Sequence, residues 1–424
     1  MLGYIFVTAI FAASVIAGLL RPYWGLLGFY AFVFLQPEWT WRWSIPPGLG
    51  YQKYIGLSVL IGVLLTGLSG NRFRGWLALS VGGLVAFLAI AYVSAQQTVA
   101  PGPTATFMDT VTKMIVMTLV TIRVVDSPQK AIGLLWVIVI SNGYNAYQIN
   151  EDYFATGVCR FVERAWGLKG DSNVYSVFTV PAIAGSIALC VFSKQWRARV
   201  PAAVILVLQV HQMMLMESRG TMLGTILILA TAIWLMPKNR YTVLGTTAAV
   251  LIGAALAGPS VVREFMSTFE SSENRDSSAE SRITLWKAGY EITRDYPMLG
   301  VGPYAVQAVI PKYAYEFSHV RYKAPHNLFL EVSAGCGIPA LFCYLTYYVV
   351  PWWICFRAYR RHRNKASDEE LLPLFALAIC LPGYFLASLF ASGAMVESMY
   401  VLIALSAGSA AACGTGFPIV SRGS

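Results

Sequence analysis

Charge is scarce in this chain. Asp, Glu, Lys and Arg make up 12% of its 424 residues, against 57% hydrophobic, and the mean hydropathy is +0.58. Water-soluble domains carry about a quarter charged residues, so a soluble enzyme or a simple nucleic-acid binder is excluded. The sequence also lacks the strict apolar/polar alternation of a lipid-facing barrel strand, which leaves helices to satisfy the backbone hydrogen bonds within the bilayer. It has no C-x-x-C, no H-E-x-x-H and no D-x-D. Its seven Cys are scattered, and only Cys159 lies clearly away from an apolar run. A disulfide framework, a zinc site and a metal-dependent glycosyl transfer therefore have no residues to rest on, and no Ser stands beside a base as a nucleophile.

What the chain has in plenty is apolar runs of roughly 17 to 22 residues, each long enough to cross about 30 Å of hydrocarbon. They lie at 2–20, 23–36, 53–69, 76–95, 106–122, 131–148, 173–193, 201–216, 220–236, 241–258, 327–356, 371–391 and 394–414. The expected fold is an all-α polytopic transmembrane bundle of about 12–13 spans. The segment from 327 is either one long span or a surface helix followed by a span. The first run has no basic leader or small-residue cleavage site, so it is expected to stay as a span. Arg21, Arg72, Arg74, Arg123, Lys130, Lys194, Arg197, Arg199, Lys238, Arg240 and the run RAYRRHRNK at 357–365 fall in alternate loops, which marks those loops as cytoplasmic. The net charge of +10 thus serves topology, not nucleic acid. The opposite, extracytoplasmic side receives 37–52, 149–172, the tight turn 217–220 and the polar stretch 259–325, whose eight basic and eight acidic residues let it fold as a small helical cap. Four regions follow: amino-terminal helices 1–125, central helices 126–258, the cap 259–325 and carboxy-terminal helices 326–424.

Three residues on the outer side carry possible chemistry. In SRITLWKAGYEITRDYP, Ser281 is a good N-cap and Ile283, Trp286 and Ile292 recur at helical spacing, so Arg282 is expected in a first helical turn, where free N–H groups already favour an anion. Arg282 either binds a phosphate there or packs on Trp286 or pairs with Glu280. Arg219 joins two apolar runs with almost no loop, a position costing up to roughly 2.5–3.5 kcal/mol at the centre of a span. It either lines a wet cavity or snorkels beside Glu217. The preceding run also holds Gln209, His211 and Gln212, expected to face the bundle interior. His326 opens a helix, whose positive end should depress its pKa. It is either a general base or an interfacial capping residue. Asp109 and Lys113 are spaced as a compensating pair, and GVGP at 300–303 as a turn.

Four stretches together resemble the bacterial O-antigen ligase and Wzy-type polymerase superfamily. They are GDSNVYSVFTVPA at 170–182, ESRG at 217–220, RITLWKAG at 282–289 followed by YPMLGVGPYA at 296–305, and HNLFLEVSAGCGIPAL at 326–341. The resemblance covers roughly residues 130–410. LLRPYWG and FLQPEW, nearer the amino terminus, are similar to the branch associated with exosortase-type loci. What the resemblance implies is a metal-independent, cofactor-free, inverting glycosyltransferase of the inner membrane, working on its periplasmic face with an undecaprenyl-diphosphate-linked glycan as donor. Arg219 and Arg282 would bind the donor diphosphate, and His326 would deprotonate the acceptor hydroxyl. The acceptor would be lipid A core (ligase), another lipid-linked glycan (polymerase) or protein Ser/Thr (O-oligosaccharyltransferase), with membrane lipids as the surroundings. A flippase or exporter of lipid-linked glycan is the alternative of another class, and it would need polar groups spread through the membrane depth.

Overall fold

A computed structural model describes residues 2–46, 48–67, 73–163, 171–239, 242, 244–245, 247 and 277–413. The expected span at 241–258, basic residues Arg72 and Arg240, and the first part of the cap at 259–276 lie outside the described residues. Within them the chain is helical, with no strand.

Helices α1 (Leu2–Leu20) and α2 (Pro22–Leu35) pack with α4 (Tyr51–Leu65), the single turn α3 (Pro37–Thr40) lying between. Next come α5 (Gly75–Ala95), α6 (Pro101–Val124), α7 (Pro128–Thr156), the turn α8 (Arg160–Glu163), α9 (Ser172–Phe192), α10 (Trp196–Leu215) and α11 (Arg219–Leu235). The cap contributes α12 (Ser277–Asp295) and α13 (Val306–Tyr313), and the chain closes with α14 (Leu328–Cys336), α15 (Ile338–His362), α16 (Asp368–Ser388) and α17 (Glu397–Ala412). Among the described residues seven helices are long and apolar enough to cross a membrane: α1, α5, α6, α9, α10, α15 and α16. Helices α2, α4, α11 and α17 are apolar but shorter. The protein is an all-α polytopic bundle.

Position in the bundle follows from side-chain size and polarity. Helices α9 and α16, built from small and branched residues, are central: 83% of the apolar window of each is buried, against 17% for α1. Helices α11 and α16 cross backbone to backbone, since a Cβ on Gly224 would lie 2.5 Å from the carbonyl oxygen of Gly383 and one on Gly383 2.3 Å from that of Gly224. Small residues at a crossing let helices in lipid gain dispersion contact that larger side chains would prevent. Polar groups turn inward: Gln209, His211 and Gln212 are buried on α10, as are Asn142, Asn145 and Asn150 on α7. Asn150 donates to the Leu208 carbonyl at 3.0 Å and Ser186 to Gln209 at 2.9 Å, whereas both polar atoms of the Gln212 amide are buried without a partner among the described residues. Asp109 and Lys113 form the expected i,i+4 pair at 2.6 Å.

The segment from 327 is a short helix followed by a long one. Asn327 caps α14 by accepting from the amides of Phe329 and Leu330, and Gly337, at φ 92°, separates α14 from α15. A Cβ at Gly337 would stand 2.1 Å from the carbonyl oxygen of Met298. The break therefore lets the membrane helix begin directly beneath the cap. Gly337→Ala combines this clash with an unfavourable φ and is expected to destabilise the detergent-solubilised protein by about 1–3 kcal/mol. An unchanged thermal unfolding midpoint would show that the junction tolerates a side chain.

Candidate functional site

One end of the bundle gathers the loops that carry the sequence motifs, and hydrogen bonds fix how the cap sits on it. Ser94 at the end of α5 donates to the Leu299 carbonyl at 2.6 Å, Thr104 of α6 to that of Pro303 at 2.8 Å, and Thr293 of α12 meets Ser333 of α14 at 3.0 Å. The cap has its own small apolar core, in which Leu285, Ala288 and Ile292 of α12 meet Val306, Val309 and Ile310 of α13. GVGP at 300–303 is a turn, as its composition indicates. The amides of Val301 and Gly302 donate to the carbonyls of Ala334 and Gly335, which commits them to the fold and removes them as phosphate donors.

Helix α12 differs from its expected form in two ways. It begins at Ser277, one turn before Ser281, with Glu280 in its first turn. Ser281 is therefore a helical residue, not the cap, and Arg282 stands in the second turn, beyond the reach of the free N–H groups invoked for it. Ile283 is 38% exposed, and the buried stripe runs through Leu285, Ala288 and Ile292 instead. Arg282 and Trp286, four residues apart, share a face. What that face meets is Phe390, in the loop after α16: the Trp286 and Phe390 ring centroids are 5.6 Å apart.

The same phenylalanine receives the other arginine-bearing element. Arg219 is the first residue of α11 and half-buried, and a Cβ on the following Gly220 would lie 2.5 Å from Cβ of Phe390. Only a glycine permits that approach. Phe390 thus stands between the start of α11 and the Trp286 face of α12, and it brings the segments of Arg219 and Arg282 to one place.

His326 lies at the same end, immediately before the Asn327 cap, with its side chain 23% exposed. Its Nδ1 is 3.8 Å from Oδ2 of Asp171, the residue that caps α9 by accepting from the Asn173 amide at 2.6 Å. That separation is too long for a hydrogen bond, and Nδ1 is buried without another partner. Burial is the main cause that pushes the imidazole below the ordinary histidine range. The Asp171 carboxylate acts the other way, while Arg282 and Lys323 push it further down. The lowered direction agrees with the expectation from sequence, but desolvation is its main cause, not the positive end of a helix. The electrostatic influence of Arg282 on His326 also places these two residues in one neighbourhood. The indole N–H of Trp286 is a second buried polar group here without a partner. Such groups cost about 1–3 kcal/mol each, and others occur elsewhere in the bundle, Gln212 and Tyr384 among them.

Backbone strain is concentrated in these motifs. Among the described residues, the non-glycine positive φ angles are at Gln36 (46°), Glu217 (52°), Tyr304 (60°) and His326 (47°). The last three lie beside Arg219, in the turn under the cap, and at the imidazole itself. Each costs about 1–2 kcal/mol.

Three participants escaped the reading from sequence. Asp171 stands inside the GDSN stretch, but nothing local announces that it faces a residue more than 150 positions away. Glu331 stands inside HNLFLEV; it is buried, accepts from the Ala394 amide at 3.2 Å and so holds the loop that carries Phe390. Burial raises its carboxyl to about 7. Phe390 itself sits at the end of the apolar run 371–391, where nothing local distinguishes it from other span residues. No group of three His, Cys, Asp or Glu side chains able to hold a metal ion occurs among the described residues.

Comparison with known proteins adds an independent observation. Residues 202–345 match the family model Wzy_C, described as O-Antigen ligase. No curated protein matches the chain. The matched segment runs from α10 through the cap into α15 and contains Arg219, Arg282 and His326, whereas Asp171 and Phe390 lie outside it. Members of this family are glycosyltransferase-like ligases and polymerases. Three of the four motifs and the family model coincide on this segment of an all-α membrane bundle, and residues 202–345 are accordingly similar to the O-antigen ligase family.

Proposed function

We propose that this protein is a metal-independent, inverting glycosyltransferase of the bacterial inner membrane, moving a glycan from an undecaprenyl-diphosphate donor to an acceptor hydroxyl at the periplasmic face. The observation that carries the reading is the contact of Phe390 with both Gly220 and Trp286, joined to the influence of Arg282 on His326. Two guanidinium-bearing elements and one imidazole are thereby neighbours at a single end of the bundle. The basic run of α15 lies at the other end of that helix, which agrees with a periplasmic site under the charge rule.

The chemistry follows from these groups. In the neutral tautomer that carries its proton on Nδ1, the nitrogen nearer the Asp171 carboxylate, Nε2 is a proton acceptor. Nε2 takes the proton of the acceptor hydroxyl as its oxygen attacks the anomeric carbon from the face opposite the diphosphate. The bond from that carbon to the phosphate oxygen breaks, and the electron pair leaves with the polyprenyl diphosphate. Arg219 and Arg282 hold the diphosphate and stabilise the charge that grows on it, as preorganised cations do for any phosphate leaving group. Such a leaving group departs without further activation. Transfer to lipid A core is the first reading of the acceptor, and competition decides it against a second lipid-linked glycan and a Ser/Thr peptide. Reconstitution with a polyprenyl-diphosphate glycan and all three acceptors, scored for which one gains sugar, is the direct test; transfer to none would end the proposal.

His326→Ala is expected to remain folded and to bind donor while losing about 10²–10⁴ in turnover. Arg219→Ala and Arg282→Ala should each weaken donor binding by roughly 10- to 100-fold, the worth of one charged hydrogen bond. Near-normal turnover in the first variant, or wild-type donor affinity in both others, would remove the assigned roles.

Acidity provides a separate test. The neutral imidazole is the working form, so kcat/KM should be full above its folded pKa and fall as pH drops through it, at a pH below the ordinary 6.5. Asp171→Asn removes the one influence that raises this pKa and should move the acid limb lower. Arg282→Gln removes one that lowers it and should move the limb higher. Shifts in the same direction would disprove the electrostatic arrangement. Because the folded pKa lies below the unfolded one, His326 also costs stability as pH falls below 6.5.

A further inference from the structure

The end of the bundle away from the site has a feature that glycosyl transfer does not use. Helix α15 is 25 residues long, whereas about 20 suffice to cross the hydrocarbon, so its last turns project into the interfacial region. There Trp353, Phe356, Arg357, Arg360 and Arg361 recur at i, i+3, i+4, i+7 and i+8, which is one helical face, and they line a groove of about 620 Å³. Trp234 of α11 extends the aromatic floor, its ring centroid 6.1 Å from that of Phe356. Trp234 is 60% exposed and Trp353 46%. The guanidinium of Arg357 lies 5.7 Å over Trp353, and that of Arg360 lies 5.8 Å over Trp234 and 5.7 Å over Phe356.

Among the described residues, Arg360 and Arg361 form no ion pair, and the acidic side chains nearest in sequence are used otherwise: Asp368 with Lys194 at 3.9 Å, Glu369 with Gln129 at 2.6 Å, and Glu370 in the capping box with Ser367. Guanidinium groups stacked on rings keep their in-plane N–H donors for an anion, and rings at this depth pack against glycerol and the first methylenes of a lipid. We infer that this groove is a binding site for the headgroup of an anionic phospholipid from the adjacent leaflet, its phosphodiester held by Arg360 and Arg361 and its acyl-glycerol portion resting on Trp234, Trp353 and Phe356. Charge complementarity favours an anionic over a zwitterionic lipid, and the aromatic floor favours a lipid over free phosphate.

The test uses the full chain in mixed micelles and reads quenching of tryptophan fluorescence by phospholipids brominated on their acyl chains. Phosphatidylglycerol should quench saturably, phosphatidylcholine should bind at least tenfold more weakly, and millimolar inorganic phosphate should not displace the lipid. The double variant R360Q/R361Q should weaken phosphatidylglycerol binding at least tenfold with an unchanged thermal midpoint. Trp353→Leu, which leaves every charge in place, should reduce the saturable part of the quenching and weaken phosphatidylglycerol binding at least tenfold. Equal affinity for the two lipids, wild-type binding by either variant, or displacement by phosphate would overturn the proposal, the last by assigning the groove to a soluble anion. None of these readings depends on glycosyl transfer.

Discussion

Phe390 packs against Gly220 so closely that a Cβ there would clash, and its ring lies 5.6 Å from the indole of Trp286. Everything distinctive about the site end passes through that contact. A segment from the middle of the chain, a helix from the cap and a loop from the carboxy-terminal third are held together there by dispersion and apolar burial, forces without direction. Direction comes from the hydrogen bonds around it. Glu331 secures the backbone two turns of loop away, Asn327 fixes the start of α14, and Ser94 and Thr104 tie the cap to α5 and α6. An apolar wedge surrounded by polar ties can hold charged side chains in fixed places without burying them completely.

This arrangement explains why strain is tolerated at Glu217, Tyr304 and His326. Each left-handed residue is flanked by an anchored element: α11 packed glycine on glycine against α16, the turn at 300–303 bonded to α14, and α14 capped by Asn327. The cost of about 1–2 kcal/mol at each is met by the packing on either side. The orientation that results is one relaxed local geometry would not supply, with an imidazole turned toward the carboxylate that caps a different helix.

The fold class and the three candidate residues were legible because they depend on short-range properties. Apolar runs report spans, and a charged or imidazole side chain at the edge of such a run is conspicuous. Twelve of the expected spans coincide with described helices, although the stretch from 327 divides at a glycine. What sequence did not reveal depends on long-range packing. Ser281 has good N-cap chemistry, whereas the helix continues back to Ser277. The partnership of Asp171 with His326 and the bridging place of Phe390 arise only when distant segments meet. Glu331 looked like an ordinary helical residue until its burial and its bond to the Ala394 amide were visible.

The sorting of helices by burial also bears on how the protein responds to its surroundings. Lipid touches mainly the rim, where α1 is largely exposed, while α9 and α16 are enclosed by other helices. A bilayer that thins or thickens must be accommodated by tilting or snorkelling of the elements that meet it, at a modest cost for each ångström of mismatch. Those elements are not the ones from which Asp171 and the Phe390 loop extend. An outer helix such as α1 can therefore act as a compliant sleeve around α9 and α16, the helices that carry Asp171 and the Phe390 loop.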